Sequence, residues 1–380
     1  MKLVYFTAQK YPSKKADPFY RLNMARAFSR ALGGNFTFVV RGEAPADFAA
    51  LNPLPVRAPR RAMALWYAIR FPFLAARHGW NNADTVLLSY DPYLTIIAIM
   101  WRRLFRAYYS ACHSCNYDGY YRVVFDWHQL FEDWRDRWIA SGADAHMTTS
   151  KRLKRLLSER YGVLSSRVAT AYGGVDTRPF EEVCCIPRGE LRSRLALPEG
   201  FLVGYVGGFT AVGLPKGLDI MIRALRNLPS DMRMVFVGGN EGEIREYRAL
   251  AAREGVVDRC VFVRRQPFNA VVEYERAMDV LVIPYPDRPH FREWGFPMKV
   301  WEYMAAGRPV VYSDLELMGE ILEGRARAFT PDDPVALARA VIDMRDHWSE
   351  VEHTADENRH AVRAYTWDAR ARAMLAYIKT

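Results

Sequence analysis

The sequence predicts an α/β protein built of two doubly wound domains. Three observations carry that prediction. Short β-branched runs alternate with segments of 3.6-residue apolar spacing, the signature of strand–helix–strand units on parallel sheets. The alternation runs twice, through 2–172 and again through 201–312, with an aperiodic stretch between. At 380 residues the chain is long enough for two cores, and 13% aromatic residues are ample to fill them.

Residues 2–7 (KLVYFT) read as a buried strand. Apolar residues at Leu22, Met24, Ala25, Phe28 and Leu32 then follow helical spacing, Gly33-Gly34 stops the helix, and 36–40 is a β-branched strand. Strand, helix, strand with short joins makes a right-handed βαβ unit. The pattern recurs as strand 85–89, helix 93–105, strands 106–112 and 122–125, helix 131–140, strand 145–149, helix 151–161 and strand 168–172. Residues 181–200 lack periodicity, carry Pro187 and Pro198, and read as a domain joint with one short helix. The second series is strand 201–206, helix 217–227, strand 232–237, helix 243–254, strand 260–263, helix 269–277, strand 279–283, helix 299–306 and strand 309–312. Domains of 1–178 and 179–365 follow. Ligands of such sheets bind at the carboxyl ends of the strands, so two sets of ends facing one central cleft is the expected arrangement. No stretch repeats at the period of about 20–50 residues that marks a solenoid.

Composition narrows the partners. Lysine and arginine total 53 against 43 acidic residues, a net charge of +10 that favours anionic partners. Only nine of the basic residues are lysines, Lys216 and Lys299 among them. Five cysteines are an odd and sparse set, which argues against a disulfide framework and for a reducing cytosol. Cys112-x-x-Cys115 has no second pair to complete a zinc site. The N-terminus turns polar too soon for a signal peptide. The apolar stretch at 94–101 is far below the roughly 20 residues a spanning helix needs. No helix-turn-helix, zinc-finger or RNP-like pattern marks a nucleic-acid binder.

Four segments carry chemistry. In 296–311 (FPMKVWEYMAAGRPVV), Pro297 precedes a helix start, Lys299 and Glu302 share one face, and Gly307 stops the helix. A helix start at a strand's carboxyl end offers amides to a phosphate, and a carboxylate one turn in can accept from a ribose diol. The same residues also read as a helix ion pair with a glycine cap. In 205–217 a strand runs into a glycine-rich loop containing Gly207 and Gly208, then Lys216, a point charge for phosphate. The spacing is not that of a Walker loop. Segment 172–180 (YGGVDTRPF) is turn-rich. In 123–128 (VVFDWH), His128 follows a strand directly, as a general base, a donor to a sugar oxygen or a structural histidine.

These four segments, in this order, resemble the retaining, nucleotide-sugar-dependent glycosyltransferases of family 4, with two Rossmann-like domains in the GT-B arrangement. Thr149-Ser150, Gly173-Gly174-Val175-Asp176 and Phe180 are similar to the family's "S…NGVD…F" stretch, Lys216-Gly217 to its "KG" element, and residues 302–311 to its "EYMAAGxPVV" ending. Residues 365–372 resemble its terminal helix, so 366–380 are expected to return to the N-terminal domain; 11–19 and Asn23-Met24 resemble the opening of one branch. The resemblance implies an acceptor-binding first domain and a second domain that binds the sugar nucleotide. It assigns Glu302 to the ribose hydroxyls of a UDP- or GDP-sugar and Lys216 to the pyrophosphate. Gly207, Gly208, Gly295, Phe296, Pro297, Met298, Lys299 and Val300 would surround the nucleotide, with Arg264 and Gln266 near the base. His128 matches a histidine near the donor sugar and the acceptor. The acceptor would be a glycan or a lipid-linked sugar. No cofactor or metal is implied.

Two positions depart from the family. Its second glutamate, eight residues before Glu302, is Trp294 here, with Glu293 one residue away as a substitute. An arginine frequent after the first strand's glycine is Gly208, so Arg288 or Arg292 would supply that charge. A sugar-nucleotide epimerase of the same architecture, or a degenerate nucleotide-sugar binder, stands as the alternative. Finally, 57–80 (RAPRRAMALWYAIRFPFLAARHGW) interleaves basic and large apolar residues. It reads as a basic amphipathic segment for an anionic membrane surface, or as a domain helix with solvated arginines. The first reading places a cytoplasmic protein on the inner face of the cell membrane.

Overall fold

In a computed structural model the structure describes residues 1–10, 16–42, 46–56, 63–111, 121–130 and 132–379. The chain divides into two compact units, Met1–Tyr172 with Trp367–Thr380, and Gly173–Thr366. The passage at Tyr172–Gly173 comes six residues before the 178/179 boundary read from sequence.

The first unit is a seven-stranded parallel sheet of β1 (Lys2–Lys10), β2 (Phe36–Arg41), β3 (Pro53–Val56), β4 (Thr85–Ser89), β5 (Arg122–Trp127), β6 (Ala145–Thr148) and β7 (Val168–Thr170), in the order β3-β2-β1-β4-β5-β6-β7. Strand β1 is central because both of its faces are apolar: Leu3, Val4, Tyr5 and Phe6 are buried, paired to Phe36–Val39 on one side and Val86–Ser89 on the other. The order reverses between β1 and β4, the switch point at which open sheets bind ligands. Strand β3 holds Pro53 and Pro55, which an edge strand tolerates. The expected strand at 106–112 is instead the end of one helix, Pro92–Ala111, because no glycine or proline interrupts the run after Pro92. Cys112 lies outside the described residues, as do Cys115, Arg57, Arg60, Arg61 and the resembling segment at 11–15. Helix Trp367–Lys379 packs on helix Ala16–Leu32, where Arg30 bonds Asp368 at 2.7 Å.

The second unit is a six-stranded parallel sheet of β8 (Phe201–Val206), β11 (Met232–Gly239), β12 (Cys260–Arg264), β13 (Val280–Ile283), β14 (Val310–Ser313) and β15 (Arg327–Phe329), in the order β12-β11-β8-β13-β14-β15. The switch point falls between β8 and β13. A two-stranded hairpin, β9 (Thr210–Ala211) with β10 (Leu214–Pro215), rises from the glycine-rich loop. The expected joint at 181–200 is not a linker but two helices, Arg178–Cys184 and Arg188–Arg194, fixed to this unit. Phe180 meets Phe268 edge-on, and Arg188 and Arg192 each reach Asp279 at 2.7 Å.

Candidate active site

The second unit's chemistry gathers at the carboxyl ends of β8 and β13, where the two strand directions of chain growth diverge. Strand β8 ends at Val206 and hands over to Gly207; β13 ends at Ile283 and hands over to Pro284 and Tyr285. Gly207 has φ +150°, and a Cβ there would lie 2.6 Å from Lys299 Cε. Its missing side chain is the space that the lysine occupies. Gly217 has φ +79°, and a Cβ there would lie 1.8 Å from the Pro284 carbonyl oxygen. Only glycine lets the loop that carries Lys216 approach β13 this closely.

Lys299 opens helix Lys299–Ala305 and is held by two carboxyl groups. Its Nζ donates to Glu275 Oε1 at 3.1 Å and, one turn along its own helix, to Glu302 Oε2. Glu275, on helix Phe268–Ala277, is fully buried. Burial raises the Glu275 carboxyl to about 8; Lys299 opposes this and Glu302 adds to it. Burial also disfavours the charge on Lys299, but the two facing carboxyls outweigh it and hold the amine well above its usual range. Lys299 therefore keeps its proton, and Glu275, fully buried and beside a second carboxyl, is the acid that takes one up. Tyr303 braces the group from below: its hydroxyl accepts from the Val206 N–H at 3.0 Å.

Lys216 stands half-buried, its Nζ 5.6 Å from the Tyr285 ring centre. Burial lowers its pKa to about 8, helped by the charge on Lys299. Two ammonium groups beside one carboxylate leave this pocket short of negative charge, a setting for an anionic group such as a diphosphate.

The other expected donor residues fall around this point unevenly. Glu293, Trp294 and Gly295 lie in the turn His290–Trp294 and just after it. Phe296 stacks on Trp301, with ring centres 5.4 Å apart. In the turn Pro297–Val300, the Val300 N–H donates to the Pro297 carbonyl and the Trp301 N–H to Met298. Val300 therefore does not present a free amide, and proline has none. Among the described residues no backbone carbonyl accepts from the Met298 or Lys299 N–H. Gly208 is open, with the Thr210 carbonyl 3.7 Å from where its Cβ would be and nothing closer. Arg288 and Arg292, offered for the missing charge, pair with Asp332 and Asp287. Arg264 extends to Glu241 at 2.8 Å, and Gln266 donates to the Arg264 carbonyl at 3.1 Å.

His128 belongs to the first unit's own cluster, at the carboxyl end of β5. Its ring packs against Tyr90 (4.5 Å) and Tyr20 (4.8 Å), and its Nε2 lies 3.8 Å from Asp126 Oδ2. Asp126 in turn accepts from Arg370 at 2.8 and 3.0 Å, an ion pair with both side chains buried. Burial, then Arg370 and Arg21, hold the histidine well below its usual pKa, so it is neutral near pH 7. Sequence reasoning missed Glu275, although a charged residue three positions after buried Val272 lies on that helix's core face. It also missed Arg370, Tyr90 and Tyr20, which only the fold brings to His128. Among the described residues no three His, Cys, Asp or Glu side chains gather as metal ligands would.

Two parallel, doubly wound units are the architecture of the GT-B fold. The fold matches HepE of Anabaena in complex with UDP with a TM-score of 0.75 at 15% identity, over 100% of both chains. The same protein with UDP-glucose gives 0.72 at 14%, covering 100% of this chain and 99% of that one. The description "Glycosyltransferase Family 4" matches residues 20–178 and "Glycosyl transferases group 1" matches 200–347. The chain belongs to the family 4 glycosyltransferases. Similar curated proteins include two D-inositol 3-phosphate glycosyltransferases. That of Xylanimonas cellulosilytica is 28% identical over 246 residues, 62% of this chain and 57% of that protein. That of Acidothermus cellulolyticus is 30% identical over 244 residues, 60% and 52% respectively. The chain thus matches about half the length of these relatives.

Proposed function

We propose that this glycosyltransferase moves a sugar from a UDP- or GDP-sugar to a hydroxyl of a glycan or lipid-linked acceptor, with retention at the anomeric carbon. The observation that carries the reading is the convergence of Lys216, Lys299 and Glu302 at the β8–β13 switch point. Lys216 takes the diphosphate as a point charge. Glu302 has Oε2 engaged by Lys299 and uses Oε1 to accept from the ribose diol. Lys299 serves by fixing that carboxylate rather than by meeting the phosphate alone.

Retention without a protein nucleophile requires attack from the leaving-group side. The acceptor oxygen bonds to the anomeric carbon as the bond to the diphosphate oxygen breaks, and the hydroxyl proton passes to that departing oxygen. Positive charge develops on the sugar ring and negative charge on the diphosphate, so Lys216 stabilises the transition state more than the ground state. Neutral His128 suits a hydrogen bond to a sugar hydroxyl better than proton transfer. Helices Met63–Arg77 and Pro92–Ala111, which carry five arginines and no acidic residue, further support an anionic membrane as a partner. Incubation with a panel of UDP- and GDP-sugars, read for free nucleotide, epimer and anomeric configuration of the product, tests the proposal. Free nucleotide with a retained product supports it; epimer without nucleotide release indicates an epimerase, and no consumption of any donor a degenerate binder.

A further inference from the structure

Helix Met63–Arg77 shows two opposed apolar faces. Tyr67, Phe71 and Ala75 are buried in the core, whereas Leu65, Ile69 and Phe73, at four-residue spacing on another face, are 64%, 56% and 69% exposed. The neighbouring helix Pro92–Ala111 continues that outer surface. Trp101 donates its indole N–H to the Ala68 carbonyl at 2.7 Å, which brings exposed Leu104 alongside the stripe. These two helices carry five arginines and no acidic residue. On the far side of Leu104, Arg102, Arg103, Arg106 and Arg122 line an open pocket of about 380 Å³ in which Asp144 is the one carboxylate among the described residues. Arg102 takes that carboxylate, and Arg103 stacks on exposed Trp138, 5.2 Å from its ring centre. Arg122 donates to the Ile378 carbonyl, and no described carboxylate pairs with Arg103, Arg106 or Arg122.

A concave site with three guanidinium groups unpaired by any described carboxylate suits phosphate, whose oxygens match their forked N–H donors. The apolar stripe beside it is unsuited to a free ion or a nucleic-acid backbone and suited to the interfacial layer of a bilayer. We infer that this pocket takes the headgroup phosphate of an anionic phospholipid while Leu65, Ile69, Phe73 and Leu104 enter the bilayer interface. The inference rests on the membrane partner proposed above and gives it an address.

Flotation with vesicles of phosphatidylcholine, with and without phosphatidylglycerol, tests it. The wild type should bind only the anionic vesicles. Arg103→Gln/Arg106→Gln should lower the partition coefficient about thirtyfold, the expected loss for two interfacial charges. Arg194→Gln/Arg226→Gln, an equal loss of charge in the second unit, should lower it far less. Sugar-nucleotide turnover in detergent and the unfolding midpoint should stay at wild-type values in both double variants. Equal losses in the two variants overturn the pocket but leave a general membrane attraction. Failure of the wild type to prefer anionic vesicles overturns the pocket and the membrane partner together. Calorimetric binding of inorganic phosphate without vesicle binding makes it a free-phosphate site and overturns the lipid assignment.

Discussion

Glu275→Gln isolates the buried carboxyl at the heart of the second unit. Glu275 Oε1 accepts from Lys299, while Oε2 is buried without a hydrogen-bond partner among the described residues. Its pKa is raised to about 8 from an ordinary 4.5, first by burial. The folded protein therefore holds a proton between about pH 4.5 and 8 that the unfolded chain has released. Stability from this group is complete below pH 4.5 and is lost as the pH rises through 8. At about 1.4 kcal/mol per pH unit, the full window amounts to roughly 5 kcal/mol. Glutamine copies the shape and neutrality of the protonated acid. The variant should match the wild type near pH 5 and exceed its stability by several kcal/mol near pH 8.5. Urea unfolding of both proteins across this range measures the difference directly. Parallel stability curves would show that Glu275 gains no proton on folding and would refute the assignment of charge among Glu275, Lys299 and Glu302.

The same physics extends to three other residues. Lys216 is pushed down to about 8, and its protonated form is the one that attracts a diphosphate, so UDP affinity should hold below pH 8 and fall above it. Lys216→Met should bind UDP weakly with no such pH dependence; calorimetric titration showing the wild-type dependence in the variant would remove Lys216 from the phosphate. His128→Ala should lower turnover roughly 100-fold, while the wild-type pH–rate profile shows no step near the ordinary histidine pKa; a step there that vanishes in the variant would mean that His128 titrates in the active range. Arg370→Met leaves Asp126 buried without its partner and should cost about 3–5 kcal/mol in urea unfolding. A loss below about 1 kcal/mol would mean that solvent reaches Asp126.

The fold was legible wherever local preference and tertiary packing agree. Strands β1, β2, β8 and β11 are long apolar runs, and each stands where it was expected. The departures have physical causes. Strand β3 escaped because Pro53 and Pro55 look like loop residues, and only an edge position makes them tolerable. Residues 106–111 mix arginine with aromatics, and their helical state follows from continuity with the preceding turns. Helix Pro334–Asp346 carried a readable start, since Asp333 caps the Val335 and Ala336 amides and Pro334 stands at the first turn. Within the site, Lys216, Lys299, Glu302 and Gly207 announce themselves by spacing along the chain. Glu275 lies 24 residues before Lys299 and joins it only because helix Phe268–Ala277 packs beside the β8 strand end. The aromatic cage of His128 draws on three separate elements and a C-terminal helix, so no local pattern encodes it.

The most direct test of the account is the rate of nucleotide release from UDP- and GDP-sugars by wild type and by Glu302→Ala, with unfolding curves confirming that the variant is folded. The account predicts release of UDP or GDP by the wild type in the presence of acceptor and none detectable by the variant. Equal rates in the two proteins would contradict the assignment of Glu302 to the donor, and with it the active site built around Lys216 and Lys299.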